Sequence, residues 1–436
     1  MSLKKIAEQT LTRCSDAGAQ QTAVQVSSRR GVEVGIRDGA FEDIRESATQ
    51  SMQIELFVDG RYSSHRTSDL REDSIRAFVG KAVSMTRVLG ADPHRGLADP
   101  KLYAGQPGID LKLADPEISK MSVSDRKQLA TVAHDGARSV DGILSVTAGV
   151  EDVSRHFVQM HSNGFSGSQH ATSLYCYAQT TCNDPSGRKP NDYDVVAARW
   201  LKDLGDVGEM GRRASERAKR RIGQKKLSTG KRTVVVENRA ARNLLQYAIM
   251  PLYGRMIQQE QSFWRDKKGK VVGSKLFTLV DEPHQPGGFG SRLFDEDGIA
   301  TQERELFRDG KLTSYLIDVY YGRKLEMAPT SGTTTNVRLT PGTQDRDALI
   351  ASVKDGLYVT GFQGGNSDPT RGEFSHGVSG FAIRDGQLAE PVGEMNLSGN
   401  HLDVWQRLAA VGNDPYLYGA MQTPTLVLED VMVSGT

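Results

Sequence analysis

Apolar residues in the first part of the chain recur with two periods. Leu3, Ile6, Ala7, Leu11 and Cys14 fall at helical spacing, with Gly18 as a stop. Val32, Val34 and Ile36 then alternate with other residues up to Asp38-Gly39. Met52, Ile54, Leu56 and Val58 do the same up to Asp59-Gly60. Alternation closed by Asp-Gly is a strong hairpin signal, so an antiparallel sheet is expected. Asp69 with Glu72 three residues on has the form of a capping box. It predicts a helix with Ile75, Phe78, Val79, Ala82 and Val83 on one face. Residues 1–91 therefore predict an α+β domain.

The stretch 92–110 is rich in proline and glycine and has little periodicity, which predicts a linker. A second α+β unit is expected over 110–226. It opens with a helix near 124–139 and continues through apolar runs at 143–150 and 156–160. Asn163-Gly164 marks a turn, 174–178 a strand, and 183–192 an exposed loop. The third unit, 230–436, begins with the strand-like run Thr233-Val234-Val235-Val236. A helix over 240–252 follows, with Leu244, Leu245, Ala248 and Ile249 on one face. Short strands separated by Asp297-Gly298, Asp309-Gly310 and Asp385-Gly386 complete it. The expected fold class is α+β: an N-terminal antiparallel sheet with helices, then a β-rich C-terminal domain.

Composition narrows the function classes. With 436 residues, 37% hydrophobic and 25% charged, the chain can bury a sizeable core. The formal charge of +1 gives no global field toward nucleic acid or an acidic membrane. The basic run from Arg212 to Lys226 has no interleaved aromatics and reads as a solvated helix face running into a linker. Cys14, Cys176 and Cys182 form no disulfide framework and suit a reducing compartment. No apolar run follows Lys4-Lys5, and none approaches the roughly 18 residues of a membrane span. A cytoplasmic protein is expected.

The chemistry-bearing block lies near the C-terminus. It reads Gly364-Gly365-Asn366-Ser367-Asp368-Pro369-Thr370-Arg371-Gly372-Glu373-Phe374-Ser375-His376-Gly377-Val378-Ser379-Gly380-Phe381, followed by Ser398-Gly399-Asn400-His401-Leu402-Asp403. Upstream stand Gly288-Phe289-Gly290-Ser291-Arg292-Leu293-Phe294-Asp295-Glu296-Asp297-Gly298 and Tyr320-Tyr321-Gly322-Arg323-Lys324-Leu325. Ser63-Ser64 with Thr67-Ser68-Asp69-Leu70 stands at the amino end. Together and in this order they resemble the TldD/TldE (PmbA) peptidase family, over essentially the full chain. In that family two related subunits build one zinc metalloprotease that degrades or trims short or unfolded peptides.

The resemblance implies a metal motif, His-Glu-x-x-x-His, on the helix after the first strand of the last domain, with a C-terminal cysteine as third ligand. Hydrolytic zinc takes three protein ligands, leaves a position for water, and works with a carboxylate base. Two histidines five apart lie about 140° apart on a regular helix, so a local distortion must bring them together. Here the matching positions are Gln246, Tyr247 and Pro251, and no cysteine follows Cys182. A neutral amide, a phenol and a proline ring cannot supply that chemistry. The resemblance therefore implies a TldE/PmbA-type subunit with no catalytic or metal-ligating residue of its own, no cofactor in this chain, and zinc in a TldD-like sister subunit.

Glycines such as Gly372 and Gly377 permit close backbone approach, and an exposed strand edge can hold an extended peptide. Arg371, Gly372, Glu373, Phe374, Ser375, Gly377 and Asn400 are thus candidate peptide-binding residues, a glycine-rich β core being the other reading. His376 and His401, with Asp368, Glu373 and Asp403 near them in sequence, are the candidates for a relocated metal site; the alternative is local hydrogen bonding. A Ser375/His376/Asp403 triad is disfavoured, because adjacent residues on a strand point to opposite faces. Expected partners are the zinc-bearing sister and unfolded peptide, with a homodimer possible and neither nucleic acid nor membrane involved. A homodimeric peptide-binding protein without a protease role is the second class of function.

Overall fold

The computed structural model describes residues 2–436, Asp43 by its backbone alone. Helix α1 (Leu3–Asp16) is capped by the Ser2 side chain, and Gly18, at φ +100°, turns the chain into the first sheet. That sheet contains β1 (Gln21–Arg37), β2 (Ala40–Val58), β3 (Arg61–Thr67), β4 (Ile143–His161), β5 (Ser166–Cys182) and β6 (Asn191–Ala198). Its order is β3-β2-β1-β4-β5-β6, antiparallel throughout. Strand β1 pairs with β4 from Ala23↔His161 to Arg37↔Thr147, so both N-terminal units share one sheet.

One face of that sheet is apolar along its whole length. At one end α1 and α2 (Glu72–Thr86) cover Val24, Val26, Ile54 and Leu56. At the other, α4 (Val123–Arg138) and α5 (Val207–Arg220) cover Val34, Val150, Cys176 and Val196, with the short α3 (Pro116–Lys120) beside them. The helices α4 and α5 approach closely at glycines: a Cβ on Gly136 would lie 2.1 Å from the Gly208 carbonyl oxygen, and one on Gly211 2.1 Å from that of Ala133. The opposite face carries Gln25, Arg155, Gln159 and Gln169, and turns toward the C-terminal domain.

The expected capping box at Asp69 is not formed. Helix α2 starts after Arg71 without a side-chain cap, because the Asp69 carboxylate is taken by the Arg71 backbone N–H at 3.1 Å and its Nε at 2.9 Å. Apolar runs 143–150 and 156–160 belong to one continuous strand, β4. Its polar middle includes Asp152, buried in an ion pair with Arg126 of α4. The basic face of α5 is largely neutralised: Arg212 pairs with Glu209, Arg213 with Asp194 at 2.7 Å, and Arg217 with Glu237 at 2.8 Å. The first part of stretch 92–110 is packed, with Leu97 and Ala98 buried. The Arg95 guanidinium sits 4.2 Å from the Tyr62 ring centroid and 3.4 Å from that of Tyr320. Arg323 donates to the carbonyls of Gly96 and Leu97.

In the C-terminal domain β7 (Gly230–Val236) leads into α6 (Asn238–Ile249). A small sheet follows, of β8 (Leu279–Asp281), β9 (Arg304–Arg308), β10 (Lys311–Leu312) and β11 (Val337–Leu339), completed by the later β16 (Met421–Gln422) alongside β11. Then come β12 (Asp355–Ser367), β13 (Glu373–Arg384), β14 (Gln387–Asn400), β15 (Leu408–Val411), β16 (Met421–Gln422) and β17 (Leu426–Ser434). The larger sheet runs β14-β13-β12-β7-β17-β15, and an extra β14–β17 pairing closes five of its strands into a barrel-like ring. One face of β7 and β12 (Val234, Val236, Leu357, Val359) packs on Leu244, Leu245 and Ala248 of α6. The other, with Val235 and Tyr358, packs on the short helix Arg346–Ala351. At Asp38-Gly39, Asp59-Gly60, Asp309-Gly310 and Asp385-Gly386 both residues have positive φ, the conformation of a type I′ hairpin turn. No helix among the described residues is long and apolar enough to cross a membrane.

Candidate functional site

Helix α6 carries Gln246 and Tyr247, and the turn after it Pro251, the positions that the sequence resemblance sets against a zinc motif. Its apolar face anchors it on the sheet, which leaves Asn243 and Gln246 exposed and Tyr247 half-buried. At Met250 the helix tightens into a 3₁₀ turn, Met250–Leu252, which contains Pro251. Pro251 is buried, and its carbonyl accepts from the Ser262 hydroxyl at 2.6 Å. The exposed Gln246 side chain and the buried Pro251 ring do not make a shared donor set.

Tyr247 lies against His376 of β13, with ring centroids 4.9 Å apart and planes at 21°. His401, which begins the short helix His401–Val404 after β14, approaches the same tyrosine at 6.3 Å. Both histidines are buried within stacked rings. Phe374 contacts both, at 5.7 and 4.9 Å, and Phe263 lies parallel to His401 at 5.4 Å. Trp405 continues the stack at 6.2 Å. Burial lowers both imidazole pKa values; that of His401 falls to about 3, His376 adding a smaller push. With its proton on Nε2, His401 donates to Ser367 Oγ at 3.2 Å. Its Nδ1, like Nε2 of His376, is buried without a partner among the described residues.

This donor set does not fit a catalytic zinc. Two neutral imidazoles meet here, but Asp368 caps its own turn, accepting from Thr370 N and Arg371 N, and Glu373 is exposed. Among the described residues no three His, Cys, Asp or Glu side chains come together to hold a metal. Cys14, Cys176 and Cys182 are all buried and free in the N-terminal half. Ser375 is exposed while His376 is buried, so the two side chains leave opposite faces of β13.

The remaining residues of the glycine block fall into two groups. Phe374 is buried in the core beside α6, and Phe381 lies in the cluster on the other side of the sheet. A Cβ on Gly377 would sit 2.4 Å from the Gln363 carbonyl oxygen. Gly372 has φ +82°, and a Cβ there would sit 2.7 Å from Asn400 Oδ1. Asn400 caps the helix after it through Leu402 N and holds the Arg371 carbonyl at 2.9 Å. Arg371, Glu373 and Ser375 are exposed, and Asn400 is half-buried.

A cleft of about 340 Å³ separates the polar face of the N-terminal sheet from loop 289–296; Arg155, Gln159 and Gln169 meet Phe289, Arg292 and Glu296 across it. Sequence reasoning missed it. The alternation of polar side chains along β4 and β5 was the available signal, but it does not say which element comes opposite.

Profiles of the PmbA/TldA metallopeptidase match in order: domain 1 over residues 23–86, the central domain over 116–222, and the C-terminal domain over 229–435. The chain belongs to this family. It is 26% identical to metalloprotease PmbA of Escherichia coli O157:H7, across 99% of this chain and 97% of that protein. A crystal structure from Bacteroides thetaiotaomicron, described as a candidate modulator of DNA gyrase, superposes with a TM-score of 0.96 at 34% identity, covering 99% of each chain. TldE from Thermococcus kodakarensis shares the fold at a TM-score of 0.87 and 19% identity, over 99% of this chain and 100% of that one.

Proposed function

We propose that this PmbA/TldD-family chain is the TldE/PmbA-type, non-catalytic subunit of a two-subunit zinc metalloprotease acting on unfolded peptides in the cytoplasm. One observation carries the reading: where the catalytic members hold His-Glu-x-x-x-His, this chain has an exposed Gln246, a Tyr247 stacked on His376, and a buried Pro251 that ends the helix. Nothing in that set generates hydroxide or polarises a carbonyl at neutral pH. A TldD-like sister carrying the zinc motif supplies the metal. This chain supplies a wall of the peptide path, for which the polar cleft beside loop 289–296 and the exposed side chains of Glu373 and Ser375 are the supporting features; β13 itself is paired with β12 and β14 and offers no free edge there.

The test is recovery of the complex from its native host with this chain as bait, together with metal analysis. A stoichiometric partner bearing His-Glu-x-x-x-His, with zinc lost when the partner is stripped away, supports the reading. Recovery of homodimers alone would favour the peptide-binding alternative, and about one chelation-resistant zinc in the isolated chain would refute the assignment.

A further inference from the structure

A second cavity, of about 180 Å³, lies between α5 and the C-terminal domain. Its acidic wall residues have their own cations. Asp192 accepts from Arg239 at 2.9 Å, Glu237 holds Arg217 at 2.8 Å, and Glu216 pairs with Arg212. Arg213 of the same wall is committed to Asp194. Two guanidiniums remain. Arg220 makes no ion pair among the described residues and lies 4.8 Å from the Phe381 ring centroid. Among the described residues, the one ion pair of Arg346 is with the exposed carboxylate next to it in the chain, Asp347.

Tyr358, only 4% exposed, lines the same cavity. Its ring is fixed among Val235, Leu349, Ile350 and Val353, and its hydroxyl has no hydrogen-bond partner among the described residues. Tyr358 lines the cavity together with Glu237, Arg346 and Arg217, three of the charged groups that act on its hydroxyl. A buried hydroxyl without a partner is costly, and an anionic oxygen in the cavity satisfies it while meeting the unpaired Arg220 and an Arg346 whose present partner, Asp347, is exposed. Phe381 and Leu388 give the same cavity an apolar wall.

We propose that this cavity binds the carboxylate of a small apolar acid, with Arg220, Arg346 and the Tyr358 hydroxyl on its oxygens and Phe381 and Leu388 against its apolar body. The site does not depend on the protease reading. Because α5 and the β12–β13 hairpin both contribute to it, the bound acid ties the central unit to the C-terminal domain and stabilises the pair by mass action.

The experiment titrates the full chain with N-acetylleucine, N-acetylleucinamide, hexanoate and inorganic phosphate, following heat of binding and melting temperature. N-acetylleucine should bind saturably and raise the melting temperature, with the amide and phosphate at least about tenfold weaker. Tighter binding of N-acetylleucine than of hexanoate assigns the site to a peptide C-terminus, and the reverse order to a free acid. Arg220→Gln and Tyr358→Phe should each weaken N-acetylleucine by about fivefold or more. Tyr358→Phe should not lower the melting temperature of the free chain, since the lost hydroxyl had no partner. The proposal is overturned if the amide binds as well as the acid, if both variants bind like the parent, or if no acid saturates by about 10 mM. A lower melting temperature for free Tyr358→Phe would likewise overturn it, by showing the hydroxyl already satisfied within the protein.

Discussion

Replacing His401 by phenylalanine separates a buried aromatic role from a metal-binding one. In the folded chain burial keeps the ring neutral, its pKa lowered from 6.5 to about 3. Unfolded, it takes up a proton near 6.5. Stability linked to this group is therefore fully present above pH 6.5 and is lost progressively as pH falls toward 3. Each pH unit in that window corresponds to about 1.4 kcal/mol, so by pH 5 the loss from His401 alone is about 2 kcal/mol. Phenylalanine keeps the stack with Phe263 and Trp405 and cannot titrate; the missing Ser367 hydrogen bond shifts its stability by a roughly constant amount. Denaturant titrations of parent and His401→Phe at pH 7.5 and 5 should show the parent losing about 2 kcal/mol more than the variant. Parallel losses would refute the reasoning, and so would zinc that is bound by the parent and absent from the variant.

Other perturbations have equally definite outcomes. Restoring the motif as Gln246→His, Tyr247→Glu and Pro251→His should give neither stoichiometric zinc by elemental analysis nor peptide cleavage, since the third ligand is still missing. Gly377→Val forces a side chain against the Gln363 carbonyl oxygen and should lower stability by at least about 2 kcal/mol, read as a falling melting temperature. Arg126→Met leaves Asp152 buried and unpaired and should cost about 3–5 kcal/mol in denaturant titrations, most of it recovered on adding Asp152→Leu.

Local chemistry was the most legible part of the sequence. Four Asp-Gly pairs marked hairpin turns because both residues take positive φ, which few other pairs tolerate. The cores under α1 and α6 followed from helical spacing alone. Long-range partners were not legible. Strand β4 looked broken because the partner that permits a buried Asp152, Arg126, lies on another element. The merging of two units into one sheet rests on β1–β4 pairing across more than a hundred residues. At Asp69 a neighbouring arginine competed successfully for the carboxylate that would have capped α2. For the candidate site, Gln246, Tyr247 and Pro251 were readable as residue types that cannot serve zinc. The approach of His376 and His401 to Tyr247 was not, since two strands and a turn bring those rings together, and Phe263, in an irregular segment, carries no periodic signal.

The most direct measurement is cleavage of an unfolded peptide by this chain alone, by a zinc-bearing sister alone, and by the two mixed, each with and without chelator. This chain alone should be inactive, and the mixture should show cleavage that chelator abolishes and that persists when Gln246 is changed to alanine. Robust chelator-sensitive cleavage by the unmodified chain alone would contradict the assignment of a non-catalytic subunit.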